Sequence, residues 1–444
     1  MKSLGIDIGT TSISFVILET TTNKVTFTKS VQNDSFIQTE YSYERAQDVK
    51  KIIEIVLSEL KDIFKAENEI DYIGLTGQMH GVLYIDAKGE VISPLYTWQD
   101  GSGDEIYRDD KSYAKVLTEI TGYTMASGFG ATTYYVHSIQ KRVPIGASKI
   151  CTIMDYLGMV LSDTDTPVID STNAASLGLY DVENRTFDKE AIKKAGLDYN
   201  MFPDEENECH ILGCLDKKIP VGIAIGDNQA SFIGSVKDTK NSISVNVGTG
   251  SQISFVIPRY ISGEGYEVRP FIDEQYLLVK SGLCGGRSYA LLETLFQGII
   301  EGYNNFVGVD LKVERNNVYA WMDYVLSNYK MPSNHPITMP LFNGTRENPT
   351  LRASISNIST NTFTHGDLIY SLLEGMVEEL CTVYDLAITK VDFRPKELVG
   401  SGNGIRFNSH LKDLFENRIG MEMKLSANEE EAACGAALNG LNYL

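Results

Sequence analysis

The chain lacks any apolar run near the roughly 20 residues of a membrane helix, and Asp7 with its neighbouring glycines breaks the only early apolar stretch. Neither a membrane span nor a signal peptide is expected. Basic residues are in deficit: 39 Lys and Arg against 59 Asp and Glu in 444 residues leave a formal charge of −20. That excess of acid repels polyphosphate backbones and excludes a general nucleic-acid binder, so any phosphate site must be built from loops. Cysteine is scarce. Its six copies (Cys151, Cys209, Cys214, Cys284, Cys381, Cys434) form no CxxC pair and no disulfide ladder, which fits a reducing cytoplasm. Cys209, His210 and Cys214 have no second ligand pair, so they read as loop residues rather than a metal site. The six histidines are scattered, and no Ser-His-Asp or Cys-His arrangement is legible. What is present, 43% hydrophobic and 22% charged residues, suffices for sizeable cores in two or three domains.

The start of the chain, Leu4 to Ile17, reads as two β-branched runs joined by Gly9-Thr10-Thr11-Ser12. The same text returns at Val245 to Ile257 around Gly248-Thr249-Gly250-Ser251, with one extra residue, Gln252, before Ile-Ser-Phe-Val-Ile. A single such repeat excludes solenoids and propellers and suggests two related halves with a cleft between them. Strands and helices alternate between the two copies, as in an α/β architecture. Val49 to Phe64 carries a helical apolar period, and Ile70 to Thr76 reads as a strand ending in Gly77-Gln78-Met79-His80-Gly81. Val221 to Ile225 reads as one buried strand that stops at Gly226-Asp227, before a helix from Asn228 to Val236. Leu368 to Leu380 marks another helix face, Leu398 to Gly404 a strand entering a glycine loop, and a further helix starts near Asn408. The boundary is placed near residue 235, giving domains 1–234 and 235–444.

A Gly-Thr-Thr-Ser turn converges N–H groups and hydroxyls on one point, which a terminal phosphate needs. Taken alone it is a hairpin turn; two copies strengthen the phosphate reading. The first copy has Asp7 where the second has the neutral Asn246. A carboxylate two residues before a phosphate loop suits a hydrated Mg²⁺, so one metal is expected, on the first-half side. Gly285-Gly286 and Gly400-Ser401-Gly402-Asn403-Gly404 are further places where backbone can approach a nucleotide, though neither has the dinucleotide spacing. Glu430 to Leu438 reads as a helix of small residues packed close on a sheet.

Asp227 stands where an apolar strand gives way to a helix, so it is either an N-cap or a general base at the carboxyl end of a strand. The helix terminus is expected to keep it ionised, with a low pKa. Two clusters suit carbohydrate: Gln78-Met79-His80 in a glycine-bounded turn, and Trp98-Gln99-Asp100. An indole beside an amide and a carboxylate can cover the C–H face of a sugar while its neighbours bind hydroxyls.

Taken in order, Gly5-Ile6-Asp7-Ile8-Gly9-Thr10-Thr11-Ser12, Gly77 to Gly81, Trp98-Gln99-Asp100, Gly226-Asp227-Asn228-Gln229-Ala230, Gly248-Thr249-Gly250-Ser251 and Gly400-Ser401-Gly402 resemble the FGGY family of carbohydrate kinases over the whole chain. Met154 to Leu157 and Asp170 to Ser176 are also similar, to the middle of that family's sugar-binding domain. The resemblance implies two actin-like (ribonuclease H-like) domains flanking an ATP-binding cleft, with Mg²⁺. It further implies transfer of the γ-phosphate to a primary hydroxyl of a ketose. It assigns Asp227 as base and Asp7 to the metal. Thr10, Thr11, Ser12, Gly248, Thr249, Gly250 and Gly286 would hold phosphates, Gly402 and Asn403 would lie against the adenosine, and Met79, His80, Trp98, Gln99, Asp100 and Asn228 would face the sugar.

Met-His-Gly points to ketose kinases, whereas glycerol kinases carry Arg-Glu there. The sequence departs from the family where Asp100 is followed by Gly101 and Ser102 rather than leading to an arginine, and where Asn403 replaces a glycine. Ser127 to Tyr135 has no lysine and resembles sedoheptulose kinases more than xylulose kinases. Gly128, Gly130 and Ala131 are expected to leave room for a seven-carbon ketose, with D-xylulose as the alternative. A non-metabolic actin-like ATPase would share the hairpins, but Asn246 and the two sugar-like turns argue against it; a catalytically dead sensor is disfavoured by the intact Asp7 and Asp227. The expected partner is a small-molecule ketose, with no nucleic acid or membrane, and a homodimer is left open.

Overall fold

A computed structural model describes residues 1–439 apart from 68, 207–210, 346, 347 and 349. The chain forms two compact units, one of Met1–Ser235, Arg269–Glu274 and the segment from Asn428 on, the other of Val236–Val268 and Gln275–Ala427. The chain therefore passes between units more than once, and the units are not the contiguous stretches 1–234 and 235–444. The expected loop residues Cys209 and His210 lie outside the described residues, and Cys214 is exposed on a strand.

In the first unit β1 (Lys2–Ile8) and β2 (Ser12–Glu19) form an antiparallel hairpin with Ile8 opposite Ile13, and β3 (Lys24–Gln32) extends it. On the other side β1 runs parallel to β4 (Tyr72–Gly77), with Asp7 opposite Thr76. Next to β4 lies β6 (Ile219–Gly222), with β5 (Ile211–Leu215) outside it, while β7 (Ile225–Gly226) pairs with the end of β4. The expected single strand over 221–225 is thus broken. Val221 faces Ile73 and Ile225 faces Thr76, four residues against three, so one residue too many forces a bulge just before Asp227.

The helix α1 (Val49–Ala66) starts because Asp48 accepts from the Lys50 and Lys51 N–H groups, and its period puts Val49, Ile52, Val56, Leu60 and Ile63 on one buried face. These side chains join Ile6, Ile8, Phe15 and Leu75 in one core. Full burial stabilises by about 1.5–3 kcal/mol per side chain, so a charge at Ile52 would unseat the helix. A second core, around Val82, Tyr134, Leu177 and Phe187, supports α2 (Gly130–Ile139), while the apolar side chains of α3 (Ile153–Ser162) join the first core, and α4 (Ser171–Leu177) packs in the second. Asp155 of the Met-Asp-Tyr-Leu motif is buried, accepting from Thr152 Oγ1 at 2.6 Å and from Asn173 Nδ2. It ties α3 to α4, and burial pushes its pKa up to about 7. The helix α5 (Asp227–Ser235) completes the contiguous part of this unit.

In the second unit the main sheet contains, in order, β10 (Tyr276–Gly282), β9 (Ser251–Ile257), β8 (Ser242–Val247), β11 (Glu397–Ser401) and β12 (Met423–Leu425). Its helices are α6 (Gly286–Val307), α7 (Arg315–Asn328), α8 (His365–Val391) and α9 (Ser409–Ile419). A capping box between Thr364 and Asp367 starts α8.

The last helix, α10 (Glu431–Leu438), belongs to the first unit. A Cβ on Gly5 would fall 1.8 Å from the Ala433 carbonyl oxygen, and one on Gly74 would fall 1.7 Å from that of Ala436. The small residues therefore let backbone meet backbone, as expected.

Candidate active site

In the first unit, the turn between β1 and β2 is held from behind. Asn33 Nδ2 donates to the Gly9 carbonyl at 2.9 Å, Gln47 Nε2 to that of Thr10 at 2.9 Å, and the Asn33 N–H to that of Thr11 at 2.9 Å. In a planar trans peptide a carbonyl and the following N–H point opposite ways. Tying back these oxygens therefore turns the Thr10 and Thr11 amides outward, and neither amide bonds to another group among the described residues. Successive amides aimed together form an anion nest. The Thr10 hydroxyl is already committed, donating to Gln78 Oε1 at 3.3 Å and accepting from Trp98 Nε1 at 2.9 Å. What Thr10 leaves without a partner among the described residues is thus the amide rather than the side chain.

Gln78 also donates to Gln47 Oε1 at 2.8 Å, so the Met-His-Gly turn and the first hairpin share one hydrogen-bonded network. His80 sits in the left-handed region, at φ 73°, and its Nδ1 lies 2.7 Å from the Ser176 carbonyl. A carbonyl only accepts, so Nδ1 carries a proton. Phe129 stacks on the imidazole, with ring centroids 4.7 Å apart. Met79 is buried against Gly226, Trp98 is half exposed and Gln99 is exposed. Asp100 is turned inward: it is 1% exposed, with Oδ1 accepting from the Ser102 N–H and hydroxyl. Oδ1 thereby shapes the Trp98 turn, while Oδ2 is buried with no hydrogen-bond partner among the described residues. Gly128, Gly130 and Ala131 leave no room for a longer substrate, since a Cβ on Gly128 would fall 2.0 Å from the Trp98 carbonyl oxygen, and Ala131 is fully buried. They let α2 pack against that turn.

Asp227 opens α5 as its first residue, not as the cap outside it. Burial raises its pKa, while Asn228, whose Nδ2 donates to Oδ1 at 3.0 Å, and Arg269 pull it back down. The expectation of a low pKa from the helix terminus fails because desolvation is the larger effect. Burial, Asp227 and Glu430 together push Asp7 up to about 7. Arg269 and Glu430 belong to this unit although they come from its two later segments; no sequence pattern marks Arg269, and the sequence shows Glu430 only as the start of a helix of small residues.

The second turn is tied differently. The Gly248 carbonyl accepts from the Gly286 N–H at 2.9 Å and that of Thr249 from the Arg287 N–H at 3.2 Å, while the Gly248 N–H is spent on Gly250. Gly248 and Gly286 therefore have no amide to give a phosphate, contrary to expectation. The Thr249 and Gly250 amides bond to nothing else among the described residues. This turn borders a cavity of 970 Å³ within the second unit, lined also by Gly286, Gly402, Asn403, Tyr289 and Tyr319. The two tyrosine rings stack with centroids 5.7 Å apart, and nothing in the sequence singled them out. Gly402 is required there: its φ is +79° and a Cβ would fall 2.5 Å from the Val247 carbonyl oxygen. Asn403 starts the short helix Asn403–Arg406 that follows.

A nest of amides beside sugar-type turns in one unit, with a nucleotide-sized cavity bordered by the repeated turn in the other, describes a sugar phosphotransferase. The profile of the N-terminal domain of the FGGY family of carbohydrate kinases matches residues 3–240, more than half of the chain. The chain belongs to that family and is an ATP-using carbohydrate kinase. Mouse (Mus musculus) sedoheptulokinase is 26% identical over 476 aligned residues, which cover 98% of this chain and 96% of that protein. The human (Homo sapiens) sedoheptulokinase is 23% identical with the same coverage. Among solved structures, xylulose kinase from Rhodospirillum rubrum superposes with a TM-score of 0.80 at 18% identity, covering 99% of this chain and 89% of that one, which establishes the shared actin-like fold. No helix of the described residues is long and apolar enough to cross a membrane.

Proposed function

We propose that this enzyme phosphorylates sedoheptulose at its terminal primary hydroxyl. The observation that carries the substrate is the similarity to two sedoheptulokinases along their whole length. In this reading His80, Met79, Trp98, Gln99 and Asn228 meet the sugar, and Asp100 holds the Trp98 turn in shape. Asp227 accepts the hydroxyl proton as that oxygen attacks the γ-phosphorus, the bond to the bridging oxygen breaks, and ADP leaves. A loose phosphoryl-transfer transition state asks little of the base, so a partly desolvated carboxylate is adequate. The Thr10 and Thr11 amides and Ser12 hold phosphate oxygens in the first unit. Thr249 and Gly250 do so in the second, where the cavity beside Gly402 and Asn403 takes the adenosine.

The acidic residues fit a hydrated Mg²⁺. Asp7 lies in the field of Asp227 and Glu430, and a divalent cation would relieve that repulsion. Among the described residues no three His, Cys, Asp or Glu side chains gather closely enough to chelate a metal alone, which suits an ion held by one carboxylate, water and phosphate. Bound there, Mg²⁺ would neutralise phosphate charge. The test is kcat/KM for sedoheptulose, D-xylulose and glycerol in an ADP-coupled assay. A tenfold preference for xylulose, about 1.4 kcal/mol of transition-state binding, would replace the substrate and leave the kinase.

A further inference from the structure

A binding site rejects a wrong ligand strongly when that ligand leaves one of the site's buried polar groups without a partner. Among the described residues, no polar side chain lining the second unit's cavity is both buried and uncommitted. The partly covered ones are spent on nearby groups. Asn408 Oδ1 accepts from the Leu411 N–H at 2.9 Å as the cap of α9, and the amide of the same side chain donates to the Tyr289 hydroxyl. The Tyr319 hydroxyl accepts from Arg315. The other polar side chains of the lining, those of Thr249, Arg287, Asn316, Asp323 and Asn403, are exposed, so water replaces any partner that a base fails to supply.

What faces a base there is apolar and aromatic: Ala290 of α6, Leu373 and Met376 of α8, the stacked rings of Tyr289 and Tyr319, and Phe407, which is 83% exposed on the rim. Aromatic contact tolerates a change of base, because every base has a π face. The cavity measures 970 Å³, near the top of the roughly 300–1,000 Å³ usual for small-molecule sites, so the additional exocyclic group of guanine meets no wall. Asp323, whose Oδ1 lies 3.2 Å from His410 Nε2 and which is 60% exposed, is an acceptor on the rim. Adenine and guanine each carry an amino donor for it, and uracil carries none.

On the reading that seats the nucleoside in this cavity, we propose that the enzyme takes GTP as well as ATP as its phosphoryl donor, with little preference between them. The chemistry is unchanged by the base. The sugar oxygen bonds the γ-phosphorus, its proton passes to Asp227, the bond to the β–γ bridging oxygen breaks, and GDP leaves with the electron pair. The amides assigned to the phosphates, those of Thr10, Thr11, Thr249 and Gly250, serve either nucleotide equally.

Calorimetric Kd values of the full chain for ADP and GDP should agree within about tenfold, and so should kcat/KM for ATP and GTP at saturating sugar, followed as release of the nucleoside diphosphate. UDP, with one ring and no amino group, should bind at least about tenfold more weakly than either. Phe407→Ala, at an exposed position, should weaken ADP and GDP alike by about fivefold or more without lowering the melting temperature. Ala290→Leu, which narrows the cavity from α6, should weaken both as well. A preference for the adenine nucleotide above about tenfold in either measurement, with these variants still weakening ADP, would overturn the proposal and leave the nucleoside in the cavity. ADP and GDP binding unmoved by both variants, or UDP binding as tightly as either, would put the base outside the cavity and remove the proposal together with the reading beneath it.

Discussion

The two Gly-Thr turns carry nearly the same residues, yet the protein uses them differently. In the first, Asn33 and Gln47 tie back the carbonyls, and Gln47 continues to Gln78 and the Met-His-Gly turn. In the second, backbone N–H groups at the start of α6 do the tying, and the turn borders the second unit's cavity. The residue two before each turn diverges accordingly. Asp7 sits among other carboxylates, whereas Asn246 donates to Ser401 Oγ at 2.9 Å. The extra Gln252 also moves Ser251 into the ladder opposite Val247, while in the first copy the hairpin ladder closes at Ile8 and Ile13, and Ser12 pairs instead with Gln32 of β3. The lesson is that the same turn takes its role from what stands behind it.

The sharpest test of this division lies on the first side. Asp227→Asn should cut kcat by about 10² to 10⁴, the usual cost of losing a general base, with ATP affinity held within about threefold because the second turn is untouched. Only the carboxylate form accepts a proton, so wild-type kcat/KM should fall as pH drops through the raised pKa of Asp227, and the variant should lack that limb. Activity within threefold of wild type would remove Asp227 as base.

Exchanging the residues two before the turns tests the asymmetry itself. Asp7→Ala should raise the Mg²⁺ concentration for half-maximal rate by about tenfold or more, since it removes the carboxylate next to the first turn. An unchanged Mg²⁺ titration would place the metal elsewhere. Asn246→Asp puts a negative charge where a neutral amide now bonds Ser401. ATP binding, followed by calorimetry, should weaken by about tenfold, or 1.4 kcal/mol; tighter binding would mean that the two turns are interchangeable.

The smallest effect concerns how the turns are tied. A backbone tie cannot be removed by changing a side chain, but Gln47→Leu unties the first turn and leaves the Thr10 carbonyl and the Gln78 amide without their partner. Stability should fall by about 1–3 kcal/mol, read from denaturant midpoints. KM should rise a few-fold for both ATP and sugar, since the network reaches both turns. A rise for one substrate alone would show that the network does not link them.

Much of this was legible in the sequence because it is local. The repeated hairpin needs only β-branched runs around small residues, α1 only its apolar period, and α10 only its small residues. What the sequence could not reveal depends on segments far apart in the chain. The low pKa expected for Asp227 follows from its place at a helix start, and burial overrides it; Arg269, which tempers that burial, arrives from a segment 42 residues on. Asp100 looks like a ligand beside Trp98 until its turn folds it inward onto Ser102. Gly128 and Gly130 look like space, but the backbone of a neighbouring turn occupies it. Residue type and spacing determined the family, the chemistry and most elements, since these rest on short-range propensity and on motif order. Tertiary structure alone decided which amides stay open and which carboxylates are desolvated, because each depends on what long-range packing brings alongside.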